Sequence, residues 1–357
     1  MKNTLDTPQN DGTLVSPELP QITAGSEARQ WAEIARRHIL PENRKSILQL
    51  LTTILPLMGL WVAMLVTVED AYWITLLLSV PAAAFTVRLF IIQHDCGHRS
   101  FFKSRRANDW VGNIIGIVTL TPHGYWRYSH NTHHATCGNL MKRGVGDINT
   151  LTVTEYLALS RWERMAYRIY RSPVIILGIA PLYLFVLRYR LPFDLFKHRP
   201  KMLIGVMATN LGIALLLTGL SFGFGVSFID VLLILGPVVA LSSTVGVWLF
   251  YVQHQFENTY WRQDKNWDFH EASVMASSYY HLPQPLRWFT ADIGIHHIHH
   301  LCSRIPNYRL RSCLDDLPAL QTLNRVSIRE SLSYFQFSLW DEWTQSLISF
   351  KKVSQRD

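Results

Sequence analysis

The feature that most limits the fold of this 357-residue chain is a set of four long apolar stretches. They occupy approximately residues 47–68, 71–93, 202–220 and 229–251. Each is long enough to cross the roughly 30 Å hydrocarbon core of a bilayer as a helix, the form that satisfies backbone polar groups in lipid. Because short links join the first two stretches and the last two, each pair should form a hairpin whose ends return to one side.

The distribution of basic residues orients these hairpins. The links at 69–70 and 221–228 contain no Lys or Arg, whereas the long loop at 99–201 and the two terminal regions hold nearly all of them. Since an excess of Lys and Arg marks the cytoplasmic side, both termini and the long loop are predicted to be cytoplasmic, at the plasma or inner membrane in a bacterium. This bias explains the net charge of +8 better than a nucleic-acid partner does, because no separate basic domain exists.

These patterns predict an all-α integral membrane protein with four transmembrane helices in two hairpins and a cytoplasmic helical cap. Residues 1–30 are expected to be a disordered tail, 31–325 the membrane domain, and 326–357 the C-terminal cytoplasmic cap or tail. The helical assignment of the cap rests on the periodicity of residues 327–350. An apolar piece at 173–187 is too short to span and is expected to lie as a helix at the interface.

Three histidine clusters fall on the predicted cytoplasmic side: HDCGH at 94–98, HNTHH at 130–134 and HHIHH at 296–300. Residues three and four apart share a helix face, so each cluster can aim its rings at one point. Neutral imidazole is the commonest protein ligand for mid-row transition metals. The predicted ligands are His94, His98, His130, His133, His134, His296, His299 and His300, with His254, at the end of the fourth stretch, as a ninth.

The number and chemical type of these ligands limit how many metal ions bind and which metal they are. A tetrahedral zinc site needs four ligands, so eight or nine imply two metal ions. Nitrogen-rich ligation without thiolates suits non-haem iron, with copper or zinc possible, and iron is favoured if the reaction uses O₂. Side chains expected to bond to the ligating rings and orient them are Asp95, Asp147, Glu257, Asp292 and His297. The lone histidines His123, His198, His270 and His281 are expected to be structural or solvated.

At these residues the chain resembles the membrane fatty acid desaturase family. The three clusters match that family's HxxxH, HxxHH and HxxHH pattern in order. The flanking similarity covers residues 99–102, 131–139, 142–147, 251–261, 277–283 and 288–308, within an overall match of roughly 45–320. The chain most resembles the bacterial acyl-lipid branch, delta-12/omega-6-like and delta-5-like. One departure is Asp292, where relatives often carry Asn.

The resemblance implies a centre of two non-haem iron ions (Fe²⁺) and O₂-dependent insertion of a cis double bond into the acyl chain of a membrane lipid or of acyl-CoA. It also implies two external electrons. The chain has no His-Pro-Gly-Gly haem motif, so a separate donor of ferredoxin or cytochrome b5 type is expected. The alternatives are a related di-iron hydroxylase or ketolase acting on an alkane or carotenoid, and a non-oxidative zinc or haem membrane protein.

Overall fold

The computed structural model describes residues 24–191 and 200–353. His198 and residues 1–23 of the expected tail therefore lie outside the described residues. The main helices, in chain order, are α1 (Ala24–Ala35), α2 (Asn43–Thr67), α3 (Tyr72–Gly97), α4 (Arg105–Val118), α5 (His123–Thr136), α6 (Val153–Ala158), α7 (Arg161–Tyr170), α8 (Pro200–Phe224), α9 (Phe228–His254), α10 (Phe269–Met275), α11 (Gln284–Phe289), α12 (His296–Leu301), α13 (Asn307–Asp315), α14 (Ile328–Ser331) and α15 (Phe350–Val353).

Four of the described helices, α2, α3, α8 and α9, are long and apolar enough to cross a membrane. They match the four predicted stretches, so the prediction of a mostly helical protein with four membrane-spanning helices is confirmed. Many of their large apolar side chains face outward, among them Leu55 at 61% exposure and Leu211 at 62%, as expected of surfaces that contact lipid. The inward faces of α2 and α3 pack on one another and on α9 around Leu57, Leu89 and Val238.

A fifth apolar piece, Val174–Arg188, is bent by 55° from α7 and consists largely of π-helix. Pro181 lies in its middle and lacks a backbone N–H, which interrupts regular helical bonding. The sequence predicted that this piece lies at the interface. In the structure it packs along α9, where the Thr244 hydroxyl donates to the Leu177 carbonyl at 2.6 Å, and its place at the interface stays a prediction.

The segment 24–30, predicted to be disordered, is instead helical, so that part of the tail prediction is wrong. It belongs to α1, whose alanines Ala28, Ala32 and Ala35 are buried on one face. They pack against a core that includes Ile298 and Leu301 of α12. The burial of this alanine face stabilises the helix beside the third histidine cluster.

The described chain also contains short strands. They are β1 (Leu151–Thr152), β2 (Tyr279–Tyr280), β3 (Arg325–Val326), β4 (Leu339–Asp341) and β5 (Ser346–Ile348). β1 pairs in parallel with β4, β4 pairs antiparallel with β5, and β2 pairs in parallel with β3. The helical prediction for 327–350 is therefore wrong over 339–348. The Asp341 carboxylate accepts from the Trp343 N–H and the Thr344 hydroxyl, and this local turn competes with helix.

Candidate metal centre

The three histidine clusters and His254 meet at one buried place. α3 and α9 end side by side and deliver His94 and His254, while α5 and α12 supply the other rings. One group of donors lies within 4.8 Å of one another: His94, His98, His130, His134 and His299. A second group within the same limit is His133, Cys137, His254 and His300. The rings of His134 and His300 stack at 4.0 Å, so the two groups adjoin.

The histidine nitrogens that face one another are Nε2 atoms. In the first group, Nε2 of His134 lies 3.1 Å from Nε2 of His130 and 3.1 Å from Nε2 of His299. In the second, Nε2 of His254 lies 3.2 Å from that of His133, and it lies 3.0 Å from Nε2 of His296, which adjoins this group. Metal–nitrogen bonds of about 2.0–2.1 Å place neighbouring ligand atoms about 2.9–3.4 Å apart, so these spacings fit imidazoles around a metal ion.

Cys137 is a poorer fourth member of the second group than His296. Its Sγ lies 3.7 Å from Nδ1 of His254, on the side of that ring away from the converging Nε2 atoms. Burial raises the pKa of the Cys137 thiol well above its ordinary value, which disfavours the thiolate that metals bind. The geometry therefore favours the predicted His296 as the ligand and assigns Cys137 to the wall of the site.

Partners on Nδ1 fix the tautomer of three rings. His94 Nδ1 donates to Asp95 at 3.0 Å, His133 Nδ1 donates to Asp147, and His254 Nδ1 donates to the Ala276 carbonyl at 3.0 Å. A neutral imidazole carries one proton, so each of these rings presents a bare lone pair at Nε2. Such outer partners usually orient metal-bound histidines.

The carboxylate of Asp95 is itself held in place. Its Oδ2 accepts from the backbone N–H of Asn307 at 2.6 Å and from the Asn307 side-chain amide at 2.8 Å. Because Asn307 begins α13, just beyond the third cluster, this contact ties the first cluster to the third. The sequence identified Asp95 and Asp147 but not Asn307 or the Ala276 carbonyl.

The arrangement of the imidazole lone pairs fits a bound cation. Nε2 of His133 and Nε2 of His254 lie 3.2 Å apart, and two neutral rings with their protons on Nδ1 would set two lone pairs against one another here. Buried nitrogens without a partner include Nε2 of His94 and His98 and both ring nitrogens of His300. Leaving buried polar atoms unpaired is costly, and a metal ion would satisfy them together.

Burial keeps these rings in the form that binds metals. Desolvation is the largest cause, followed by the charge of neighbouring imidazoles. Together they lower the pKa values of six rings well below the ordinary range. These rings are His98, His130, His134, His296, His299 and His300. At neutral pH these imidazoles are uncharged, and their lone pairs are available as ligands.

Three residues expected to support the ligands lie elsewhere. Glu257 is half exposed, and its Oε1 lies 3.9 Å from Nζ of Lys352. Asp292 forms an ion pair with Nε of Arg287 at 2.9 Å. His297 points away from the other rings of α12, donating from Nε2 to the Leu320 carbonyl at 2.7 Å, because its position in the helix puts it on the opposite face.

The described lone histidines His123, His270 and His281 belong to neither group of donors. His281 pairs through Nδ1 with the hydroxyl of Tyr279 at 3.0 Å. His270 lies against the ring of Phe269. His123 is buried beside Gly112, and burial, with a smaller effect from Arg127, lowers its pKa to about 4.

A long cavity of about 610 Å³ opens onto the histidines. His94, His130 and His296 form its polar end, and α3, α9 and the Val174–Arg188 segment provide walls along its length. Val239 also lines it, fifteen residues before His254, which corresponds to about 22 Å along α9.

Two aromatic side chains flank the junction of the cavity and the histidines. Trp126 stacks on the His130 ring at 4.5 Å, and Phe250 lies near His133. The volume is that of a typical small-molecule site, and its shape suits an extended apolar chain.

Comparison with known proteins gives a consistent answer. A family model described as fatty acid desaturase matches residues 71–331. A fatty acid desaturase of Bacillus subtilis is 42% identical over 335 residues, which cover 94% of each chain. An sn-1 acyl-lipid omega-3 desaturase (ferredoxin) of Synechocystis is 30% identical over 270 residues, covering 71% of this chain and 70% of that one. An sn-1 oleoyl-lipid 12-desaturase of Synechocystis is 27% identical over 223 residues and covers 62% of each chain.

The family model extends from before the first histidine cluster to beyond the third, and the Bacillus relative extends the likeness to nearly the whole chain. The likeness therefore does not rest on histidine spacing alone. It agrees with the buried imidazoles and the apolar cavity beside them. The chain is an oxidoreductase and belongs to the fatty acid desaturase family.

Proposed function

We propose that this protein inserts a cis double bond into an acyl chain of a membrane lipid at a centre of two non-haem iron(II) ions. The proposed ligands are His94, His98, His130, His133, His134, His254, His296, His299 and His300. The observation that carries the proposal is the convergence of buried Nε2 lone pairs at the polar end of a long apolar cavity. A purely structural cluster would not need unpaired nitrogens that face one another.

The overall reaction fixes what must reach the site. Loss of two hydrogen atoms from neighbouring methylenes supplies two electrons, whereas reduction of O₂ to two waters consumes four. Two electrons therefore come from a separate donor and two protons from water, and the name of the ferredoxin-dependent Synechocystis relative favours a ferredoxin over a cytochrome b5 type. Bound iron would supply the redox chemistry that activates O₂.

The protein's own contribution is positioning and exclusion of water. The cavity walls hold the saturated segment in one extended path, so that one pair of methylenes lies beside His94 and His296. Trp126 and Phe250 cover the rings of His130 and His133 and keep the junction apolar. We place the histidine ends of α3 and α9 on the cytoplasmic side, as the distribution of Lys and Arg indicates.

Expression in a host that makes only saturated and monounsaturated chains tests this function. We expect a new cis double bond in membrane lipids, located by mass spectrometry, and two irons per purified chain. A product that carries an added oxygen instead would favour a hydroxylase or ketolase. Zinc or haem in the purified protein, with no altered lipid, would favour the non-oxidative alternative.

Gly246 offers a direct test that the cavity holds the acyl chain. It lines the cavity, and a Cβ atom built there meets nothing within 4 Å, so a larger side chain enters the cavity without a backbone clash. We expect Gly246→Leu to reduce turnover of the longest acyl chains about tenfold or more, or to move the double bond along the chain. The measurement is the chain length and double-bond position of the products.

The matched control is Gly236→Leu in the same helix. Gly236 is exposed, does not line the cavity, and likewise has open space around a built Cβ. We expect Gly236→Leu to keep the parent's product pattern. An unchanged product pattern in Gly246→Leu would mean that the acyl chain does not pass this point.

A further inference from the structure

A buried arginine lies inside the second membrane-spanning helix. Arg88 is only 7% exposed and lies six residues before His94, about 9 Å along α3. Ionisable side chains at this depth are costly and are usually present for a functional reason. Arg88 is neither among the proposed ligands nor in the wall of the acyl cavity.

The contacts of Arg88 join three helices. Its Nε donates to the Thr53 hydroxyl of α2 at 3.2 Å, and its Nη1 donates to the Trp288 carbonyl at the end of α11. The guanidinium also lies over the Trp288 indole, 4.0 Å from the ring centroid. Phe85, one turn earlier on α3, adds edge contacts to Trp288 and Phe289. Only a flat group with several donors can make the polar contacts and the stacking contact at once.

The chain that follows Trp288 is a strained turn leading to the third histidine cluster. Ala291 and Asp292 both adopt positive φ, 47° and 56°, although neither is glycine. Such conformations persist only where surrounding contacts enforce them, and they concentrate at functional sites. Two residues of this stretch, Ile293 and His296, line the end of the cavity.

The far side of this turn is also anchored. Gln253 of α9 donates to the Ile293 carbonyl at 3.1 Å, and the Ile295 N–H donates to the Asp292 carbonyl at 3.0 Å. Arg88 therefore holds the entry of the turn and Gln253 its middle. The direction in which α12 begins, and with it the position of the His296 ring, depends on both anchors.

We propose that Arg88 is a positioning residue: by binding the Trp288 carbonyl and indole it sets the 290–295 turn and thereby places His296 at the metal centre. The proposal rests on the proposed function, in which His296 is a ligand. It explains why a cation stays buried in α3 and why a turn with two strained residues precedes this cluster.

Removal of the guanidinium tests the proposal through metal content rather than activity alone. We expect Arg88→Met to purify as folded protein with about one iron per chain instead of two, because the group that contains His296 is lost. In a His296→Ala background, Arg88→Met should cause no further loss of iron, since both changes act on one site. If Arg88→Met retains two irons and the parent's turnover, the proposal fails.

The matched control is Arg190→Met. Arg190 is also a partly buried arginine that donates to the carbonyl of a positive-φ residue, Leu120, but it does not connect to α12. Arg190→Met should keep two irons per chain. If it loses as much iron as Arg88→Met does, the loss in Arg88→Met reflects general destabilisation, and the proposal is overturned.

Arg88→Lys covers the case in which Arg88→Met does not fold. Lysine keeps the charge but cannot bond to Thr53 and Trp288 while stacking on the indole. Folded Arg88→Lys protein with reduced iron supports the proposal, and the parent's iron content and turnover overturn it. A parent protein that desaturates without iron would instead refute the proposed function, so the two failures can be told apart.

Discussion

Replacement of His254 by alanine should abolish desaturation, with a loss of at least about 100-fold, and lower the bound iron. Removal of a group that merely supports a metal ligand costs 10–100-fold, and loss of the ligand should cost more. His254 belongs to none of the three clusters, so this result would not follow from motif spacing. Its Nε2 lies at the centre of the second group, 3.2 Å from His133 Nε2 and 3.0 Å from His296 Nε2.

Iron per chain and double-bond formation in the same membranes are the measurements for His254→Ala. The control is His270→Ala, because His270 is a partly exposed lone histidine that contacts Phe269. His270→Ala should keep iron and product at the parent's level. Full activity in His254→Ala would remove this residue from the ligand set and leave the second group without its central nitrogen.

Asp147→Asn should weaken iron binding by about 10–100-fold while the protein remains folded. The Asp147 carboxylate accepts from Nδ1 of His133 and so fixes the tautomer that presents Nε2 to the metal. An amide is nearly the same size but uncharged, and it can present an N–H where the ring needs an acceptor. Titration of iron into metal-free protein measures the change directly.

Asp264→Asn is the control for that experiment. Asp264 is an exposed carboxylate that pairs with Lys142 at 3.0 Å and accepts from Asn139 at 2.7 Å, away from the rings. Its replacement should leave iron affinity within about twofold of the parent, because exposed ion pairs contribute little. An Asp147→Asn protein with the parent's affinity would show that His133 holds its tautomer without this carboxylate.

Local patterns in the sequence were enough to predict the membrane helices and the gathering of the histidines. Apolar length alone defines a span, and i, i+4 spacing puts His130 and His134 on one face whatever surrounds them. His254 could be predicted because α9 had to end at the same side as α3. That these rings bind iron stays a prediction.

The outer contacts of the site could not be predicted, because they depend on tertiary structure. Any residue has a carbonyl, so nothing in the sequence marks Ala276 as the acceptor for His254. Asn307 reaches Asp95 across 212 residues of chain. Asp292 and Glu257 lie near the histidines in sequence, but in the fold they lie beside Arg287 and Lys352.

The C-terminal region shows a different limit of prediction from sequence. Residues 339–348 have a periodicity that also fits helix, but β4 pairs with β5 and with β1, which lies nearly 190 residues earlier, and this pairing selects strand. Leu339 and Trp340 are adjacent in sequence and both fully buried, because protein covers both faces of β4. A pattern of one buried face could not have revealed this.

The measurement that tests the central claim most directly is the metal content of purified, active protein, determined by inductively coupled plasma mass spectrometry alongside product formation. The account predicts two iron ions per chain, and activity that falls as iron is removed and returns when iron is restored. Fully active protein without bound iron would contradict it.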